Sequence, residues 1–246
     1  IFGIEDNKAD SIKVIKGFIS DNDKMDICPL KTKYPQGGER SLIYAVTGRK
    51  INSKMLPADA KCLVLNTSTC YAIYNALFEN MPLIHRYMTI SGDGVNQCNN
   101  FKVPLGMSHN SVLTACGGLK EDACKIISGG PMTGTALNTL DIPVEKTSSS
   151  ILAFTVDDVA SIKESNCIRC GKCVSVCPAN LVPQMLSKSV INSDFEKFEA
   201  LGGMECVKCG CCSYICPAKI PLTHLITIGK AAVKQALDEK AAKGGV

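Results

Sequence analysis

Twice near its end the chain carries the run C-x2-C-x2-C-x3-C-P: CIRCGKCVSVCP from Cys167 to Pro178 and CVKCGCCSYICP from Cys206 to Pro217. The copies are offset by 39 residues, pairing Cys167 with Cys206, Cys170 with Cys209, Cys173 with Cys212 and Cys177 with Cys216. Both run on as Cys-Pro-Ala into an apolar segment. This is the spacing bacterial ferredoxins use for four-iron clusters. Three cysteines at intervals of three on a tight loop wrap three corners of one cube. The fourth sits where the chain turns into a helix, points away, and in two-cluster ferredoxins ligates the other cluster. The expected sets for two 4Fe-4S clusters are Cys167, Cys170, Cys173 and Cys216, and Cys206, Cys209, Cys212 and Cys177.

Gly171 and Gly210 follow the second cysteine of each copy. Glycine allows φ > 0 and a close backbone approach, so that amide N–H groups can point at cluster sulfur. Pro178 and Pro217 suit the first turn of a following helix. Zinc is the rival. A structural site made of paired C-x2-C units would take Cys167, Cys170, Cys206 and Cys209, but it leaves four cysteines and both prolines unexplained. Of fifteen cysteines, the other seven (Cys28, Cys62, Cys70, Cys98, Cys116, Cys124 and Cys211) form no ligand pattern and read as small apolar residues. His85, His109 and His224 each stand alone and read as surface or core histidines.

At 246 residues the chain has room for one large domain or several small ones. Hydrophobic residues make up 46% and charged residues 20%, ordinary for a globular protein. No apolar run approaches the roughly 18 residues of a membrane span, so membrane contact is expected to be peripheral. IFGIEDNKAD turns charged within five residues and does not read as a signal peptide, and a chain opening on Ile1 is expected to lack its natural N-terminus. There is no Trp, no dense basic block and no nucleic-acid motif, so nucleic-acid binding is not expected.

The first ~80 residues read as α/β by periodicity. Strands are expected at Ile1–Ile4, Met25–Leu30 and Cys62–Leu65. Asn7 is expected to cap a helix with Ile12, Ile15 and Ile19 on one face, and a second helix over Ser41–Val46 to end at Gly48. A third helix follows NTST, with Ile73, Leu77 and Phe78 on one side. From Met81 the pattern changes: IHRYMTISGD alternates, with Ile84, Met88 and Ile90 on one face, and a brief helix near Ser111–Cys116 and the strand CKIISGG follow. VEKTSSSILAF reads as a linker feeding a short strand. Beyond it LVPQMLSKSV, DFEKFEALGG and IPLTHLITIGKAAVKQAL read as helices.

Two polar strand-to-helix turns stand out upstream. KYPQGGER places Gly37, Gly38 and Glu39 at a helix start, where free N–H groups favour a phosphate or other anion. VLNTST brings Asn66, Thr67 and Thr69 to the next, where the hydroxyls equally suit ordinary caps. In an α/β layer such turns converge on a ligand at the carboxyl ends of the strands. A flavin or nucleotide is the natural one, since a flavin splits a hydride into single electrons for clusters.

GIEDNK, KYPQGGERSLIYAVTGR, the NTST turn, PLIHRYMTISGD, SGGPMTG and CIRCGKCVSVCP stand in the order found in the RnfC family, one of the components of the Rnf electron transport complex, and the resemblance covers essentially the whole chain. That family is similar to the flavoprotein subunit of respiratory complex I. The resemblance implies an α+β chain: a partial FMN/NADH-binding α/β domain at 1–80 and a β-grasp SLBB module at 81–146. A linker strand at 147–160 and a helical ferredoxin domain with two 4Fe-4S clusters at 161–246 complete it. It further implies ion-translocating ferredoxin:NAD oxidoreductase activity, FMN and NAD(H) as cofactors, and membrane redox subunits and ferredoxin as partners. The location it implies is peripheral, at the cytoplasmic side of the cell membrane. Carried onto matching positions, Gly37, Gly38 and Glu39 lie near flavin and nicotinamide, and Asn66 and Thr69 near the flavin. The family's glycine-rich flavin loop lies N-terminal to GIEDNK, and Thr133 stands where the family usually has a second Met. The alternatives are a soluble reductase component serving an amino-acid or cobalamin reductase, and a non-catalytic iron–sulfur wiring module.

Overall fold

A parallel pair of strands needs a crossover, and the chain begins with one. In the computed structural model, which describes residues 1–19 and 24–243, β1 (Phe2–Glu5) pairs with β2 (Ile27–Leu30), with Phe2 opposite Ile27. Between them runs α1 (Ala9–Ile19). Residues 20–23 of the expected flavin-type domain and 244–246 of the expected helical domain lie outside the described residues. Ile12, Ile15 and Ile19 are the half-buried positions of α1, as their spacing requires. Asn7 is not its cap. The Lys8 carbonyl accepts the Ile12 N–H at 3.1 Å, while Asn7 donates its N–H to Thr32 Oγ1, which Asp6 Oδ1 holds at 2.6 Å. Local pairing with β2's exit thus claims Asn7 first.

Next comes α2 (Glu39–Thr47), with Gly38 at its N-cap and the buried Ile43 on its inner face. It ends at Gly48, whose φ of 71° and N–H bond to the Tyr44 carbonyl form a left-handed cap. The strand expected at Cys62–Leu65 is not formed: this stretch has no regular structure, and Leu63 is 81% exposed. A strand is held by its ladder, and no neighbouring strand pairs with it among the described residues. Residues Ile1–Val64 with Met204–Val207 make one compact unit, and Leu65–Gly203 with Lys208–Val246 make a second.

The second unit opens with α3 (Thr67–Phe78), capped by Asn66, whose side-chain oxygen accepts the Ser68 N–H at 2.9 Å. Its expected apolar side is uncovered, with Leu77 and Phe78 both 70% exposed. Then β3 (His85–Ser91), β4 (Asn99–Pro104), α4 (His109–Ala115), β5 (Lys125–Ser128), β6 (Thr135–Ala136) and β7 (Ser150–Phe154) build a sheet in the order β4-β3-β7-β5-β6. The β3/β7 pair is parallel and the others antiparallel. The alternation in β3 turns Met88 and Ile90 inward, onto Val103, Ile151 and Ala153 of the sheet and Val112 and Leu113 of α4. Ile84, placed on that face by the pattern, lies before the strand and is exposed. The strand read as part of a linker is therefore the sheet's middle one. Buried His109 is satisfied by the Ile142 carbonyl at 2.9 Å and Ser128 Oγ at 3.2 Å.

From there the chain is helical: α5 (Asp158–Ser161), α6 (Lys172–Ser175), α7 (Pro183–Ile191), α8 (Phe195–Ala200), α9 (Cys211–Ile215) and α10 (Leu222–Lys243). Phe198 is fully buried. The 39-residue repeat survives in the backbone. α6 and α9 start 39 residues apart, as do α7 and α10. Positive φ recurs at Arg169 and Lys208 (57° and 56°), Gly171 and Gly210 (75° and 83°), and Asn180 and Lys219 (53° and 55°). Among the described residues no helix is long and apolar enough to cross a membrane.

Candidate metal centre

Each cysteine run is folded by the same local device. Gly171 caps α6 and Gly210 caps α9 in the left-handed conformation, which turns the loop back so that its cysteines face one way. In the second unit this produces an open recess lined by Cys167, Cys170, Cys173 and Cys216. Three of these come from the first run and the fourth from the second. Apolar walls are supplied by Ile168, Pro217, Ala218, Ile220 and Leu222. The two runs are stitched together where Ser165 donates its N–H to the Ala218 carbonyl at 3.0 Å.

The donor set suits an iron–sulfur cluster, which is held by thiolates alone. Zinc, with Zn–S bonds of about 2.3 Å, needs its ligands drawn in around a point. A zinc ion would use four of the eight thiols, whereas the recess gathers four from both runs and leaves the complementary four for a second group.

For the other expected set the crossing runs the opposite way. Burial pushes the Cys212 thiol up, and Cys209 and Cys177 beside it push in the same direction. Cys177, from the first run, thus lies close to Cys212 of the second. Its sulfur accepts the Leu181 N–H at 3.3 Å. Burial likewise raises Cys173. Cys211, whose partner in the first run is Lys172, is pushed up to about 11, by burial first and then by Cys209.

Cys206 belongs to the segment Met204–Val207 of the first unit. There its neighbour Glu205 is clamped by Arg40 Nη1 at 2.9 Å, Ser53 Oγ at 2.5 Å and the Ser53 N–H at 3.0 Å. Burial opposes ionisation of Glu205, but the Ser53 donors and the Arg40 guanidinium outweigh it and hold the carboxyl below its ordinary range.

Two neighbours of the sulfurs were not anticipated. Cys173 Sγ lies 3.0 Å from Gln184 Oε1, and Cys212 Sγ lies 3.3 Å from Thr223 Oγ1. Gln184 and Thr223 are themselves 39 residues apart, each eleven residues beyond its cysteine. Extending the repeat alignment past the prolines would have paired them. Of the seven cysteines read as small apolar residues, Cys116 is buried, Cys28, Cys62 and Cys211 are half-buried, and Cys70, Cys98 and Cys124 are exposed.

The upstream candidates fall into both units. Gly37, Gly38 and Glu39 stand at the start of α2 in the first, and a side chain added at Gly37 would meet nothing within 4 Å. Asn66 and Thr69 stand at the start of α3 in the second, where Asn66 acts as an ordinary cap.

Residues 1–75 match the family model of the Nuo51 FMN-binding domain, and residues 166–220 that of the 4Fe-4S dicluster domain. The chain is 48% identical over 185 residues to the RnfC subunit of the proton-translocating ferredoxin:NAD(+) oxidoreductase complex of Clostridium ljungdahlii, covering 75% of this chain and 40% of that protein. It is 40% identical over 202 residues to the RnfC subunit of the Na(+)-translocating ferredoxin:NAD(+) oxidoreductase complex of Acetobacterium woodii, covering 82% and 46%. To the RnfC subunit of the ion-translocating oxidoreductase complex of Rhodobacter capsulatus it is 35% identical over 240 residues, covering 96% and 46%. The chain thus spans less than half the length of these relatives. By its motifs and by these matches, this chain is a relative of the RnfC subunits of the ion-translocating oxidoreductase complexes, and it carries a segment of an FMN-binding domain together with a 4Fe-4S dicluster domain.

Proposed function

We propose that the chain is part of a peripheral electron-transfer subunit of an ion-translocating ferredoxin:NAD oxidoreductase. It would move electrons between a flavin/NAD(H) site and partner carriers through two 4Fe-4S clusters. The observation that carries this reading is the recess in which Cys216 of the second run joins Cys167, Cys170 and Cys173 of the first. The complementary set is Cys206, Cys209, Cys212 and Cys177. Crossed ligation places two clusters side by side on one short chain segment, as two-cluster ferredoxins do. When bound, the flavin converts between a hydride and single electrons, and the clusters carry electrons one at a time. Gly37, Gly38 and Glu39 at the start of α2, with Asn66 and Thr69 at the start of α3, are the residues assigned to the flavin and nicotinamide.

The domain division that goes with this is 1–80 flavin-type, 81–146 SLBB, 147–160 connecting strand and 161–246 ferredoxin. A five-stranded mixed sheet around one parallel pair, packed on α4 and taking the connecting strand β7 as its middle strand, supports a β-grasp module. The subunit sits against other subunits of a membrane redox complex on the cytoplasmic face and exchanges electrons with ferredoxin.

Low-temperature EPR of the anaerobically purified, dithionite-reduced chain tests the cluster reading. The expected result is a broadened signal from two spin-coupled clusters, integrating to about two spins. Zinc without acid-labile sulfide would overturn it. Co-purification with hydrophobic subunits separates a membrane complex from a soluble reductase.

A further inference from the structure

Gln184 and Thr223 occupy the second positions of α7 and α10, directly after Pro183 and Leu222. Each touches the third cysteine of its own run, Gln184 at 3.0 Å from Cys173 Sγ and Thr223 at 3.3 Å from Cys212 Sγ. Gln184 also lines the cysteine recess. Both side chains are half-buried, and Cys212 is only 8% exposed, so these contacts are partly shielded from bulk water.

A thiol donates its proton to the Gln184 oxygen. A cysteine that ligates iron has lost that proton and only accepts. Each partner is able to reverse its role. The Gln184 amide carries an NH2 on the same terminal carbon and turns it toward the sulfur. At Thr223 the acceptor side is already taken: Ser213 Oγ donates to Thr223 Oγ1 at 3.0 Å, and the Thr223 N–H donates back to Ser213 Oγ at 2.8 Å. The one hydroxyl proton of Thr223 is left for Cys212. The first run has Val174 where the second has Ser213, so Gln184 has no such relay behind it.

We infer that Gln184 and Thr223 are symmetry-related positioning residues, each donating a hydrogen bond to a ligating sulfur and raising the potential of one cluster independently of the other. This rests on the two-cluster reading. A reduced cluster holds one more negative charge than an oxidised one, and donors to its sulfurs stabilise the reduced form. An amide on one side and a relayed hydroxyl on the other add to the differences between the two clusters, which gives electron flow a preferred order along the pair.

The test is a redox titration of the full chain with both clusters assembled, followed by EPR, comparing Gln184→Leu and Thr223→Val. Iron and sulfide content is measured on every sample. Gln184→Leu is expected to lower the potential of the cluster held by Cys173, and Thr223→Val that of the cluster held by Cys212, each leaving the other cluster in place and unshifted. Thr223→Ser keeps the hydroxyl and is expected to keep the parent potential. If Gln184→Leu loses its cluster, Gln184→Met keeps the length and neutrality but offers no donor, and its potential should fall. Parent potentials in the fully loaded variants, or equal shifts in both clusters, would overturn the inference. Failure of the parent chain itself to bind two clusters would instead sink the reading beneath it.

Discussion

Lys125 Nζ lies 2.7 Å from Asp157 Oδ1, joining β5 to the residue that caps α5, with both side chains about three-quarters buried. Asp157 Oδ1 also accepts the Val159 and Ala160 N–H groups at 3.2 Å. The Lys125 bond comes first among the causes that hold this carboxyl below its ordinary 3.8. A carboxyl lowered on folding stabilises the fold fully above its unfolded value, and that contribution fades as the pH falls through the folded one. Asp157→Asn is therefore expected to cost up to about 1 kcal/mol at pH 7, with the gap closing below pH 3.8. The chain has six Tyr and no Trp, so tyrosine fluorescence during urea unfolding reads the difference.

Gly171 and Gly210 hold the same left-handed conformation but not the same surroundings. A Cβ at Gly171 meets nothing within 4 Å, whereas one at Gly210 comes to 2.8 Å from the Met132 carbonyl oxygen. Gly171→Ala should cost only the conformational strain, about 1–2 kcal/mol. Gly210→Ala adds a collision with backbone, worth a further 1–3 kcal/mol or so. Melting temperatures of the two variants check the order; equal losses would mean that the Met132 contact yields easily.

The proposed crossed ligation makes the effect of a cysteine change nonlocal in sequence. Cys216→Ala, in the second run, is expected to remove the cluster wrapped by the first, and Cys177→Ala the reverse. Cys173→Ala should remove the same cluster as Cys216→Ala. Each leaves about four irons of about eight and abolishes the spin coupling. Iron analysis with EPR decides it, and a variant retaining both clusters at full occupancy would refute the ligand sets.

Glu205 gathers three donors from Arg40 and Ser53 next to Cys206. Glu205→Ala strands the Ser53 N–H and the guanidinium. Because the carboxylate is about one-third exposed, the cost is expected near 1 kcal/mol rather than the full value of a buried charged bond. Urea midpoints measure it, and Glu205→Gln, which keeps acceptor capacity, should lie between parent and alanine variant.

Much of the ferredoxin part was readable because its determinants are local. The left-handed glycines and the thiol spacing each depend on neighbours within a turn or two, whereas Pro178 and Pro217, expected in the first turn of a helix, lie in turns, five residues before the helices begin at Pro183 and Leu222. The faces of α1 and β3 were readable for the same reason, through period alone. The errors fell where a decision belonged to distant residues. Cys62–Leu65 has a strand's composition and no ladder among the described residues; Leu77 and Phe78 stand on a helix as read but stay 70% exposed, with the Tyr74 ring 5.1 Å from that of Phe78. Ile151–Phe154 was readable as a strand, but its place in the middle of the sheet was not, because nothing in SILAF says that β3 lies on one side and β5 on the other.

By itself, then, the sequence determined the thiol pattern: eight sulfurs in two identical spacings, with a glycine inside and a proline after each run. Those are short-range properties of φ and of ligand spacing, and 39 residues of offset carry them unchanged. Only the tertiary structure decided what surrounds the sulfurs. Gln184 and Thr223 reach Cys173 and Cys212 because the following helices fold back over the loops that precede them. Cys216 enters a recess made by the first run because the two cysteine runs pack against one another. Hydrogen bonding and burial at a cluster ligand are set by whatever packs there, which no single stretch of sequence specifies.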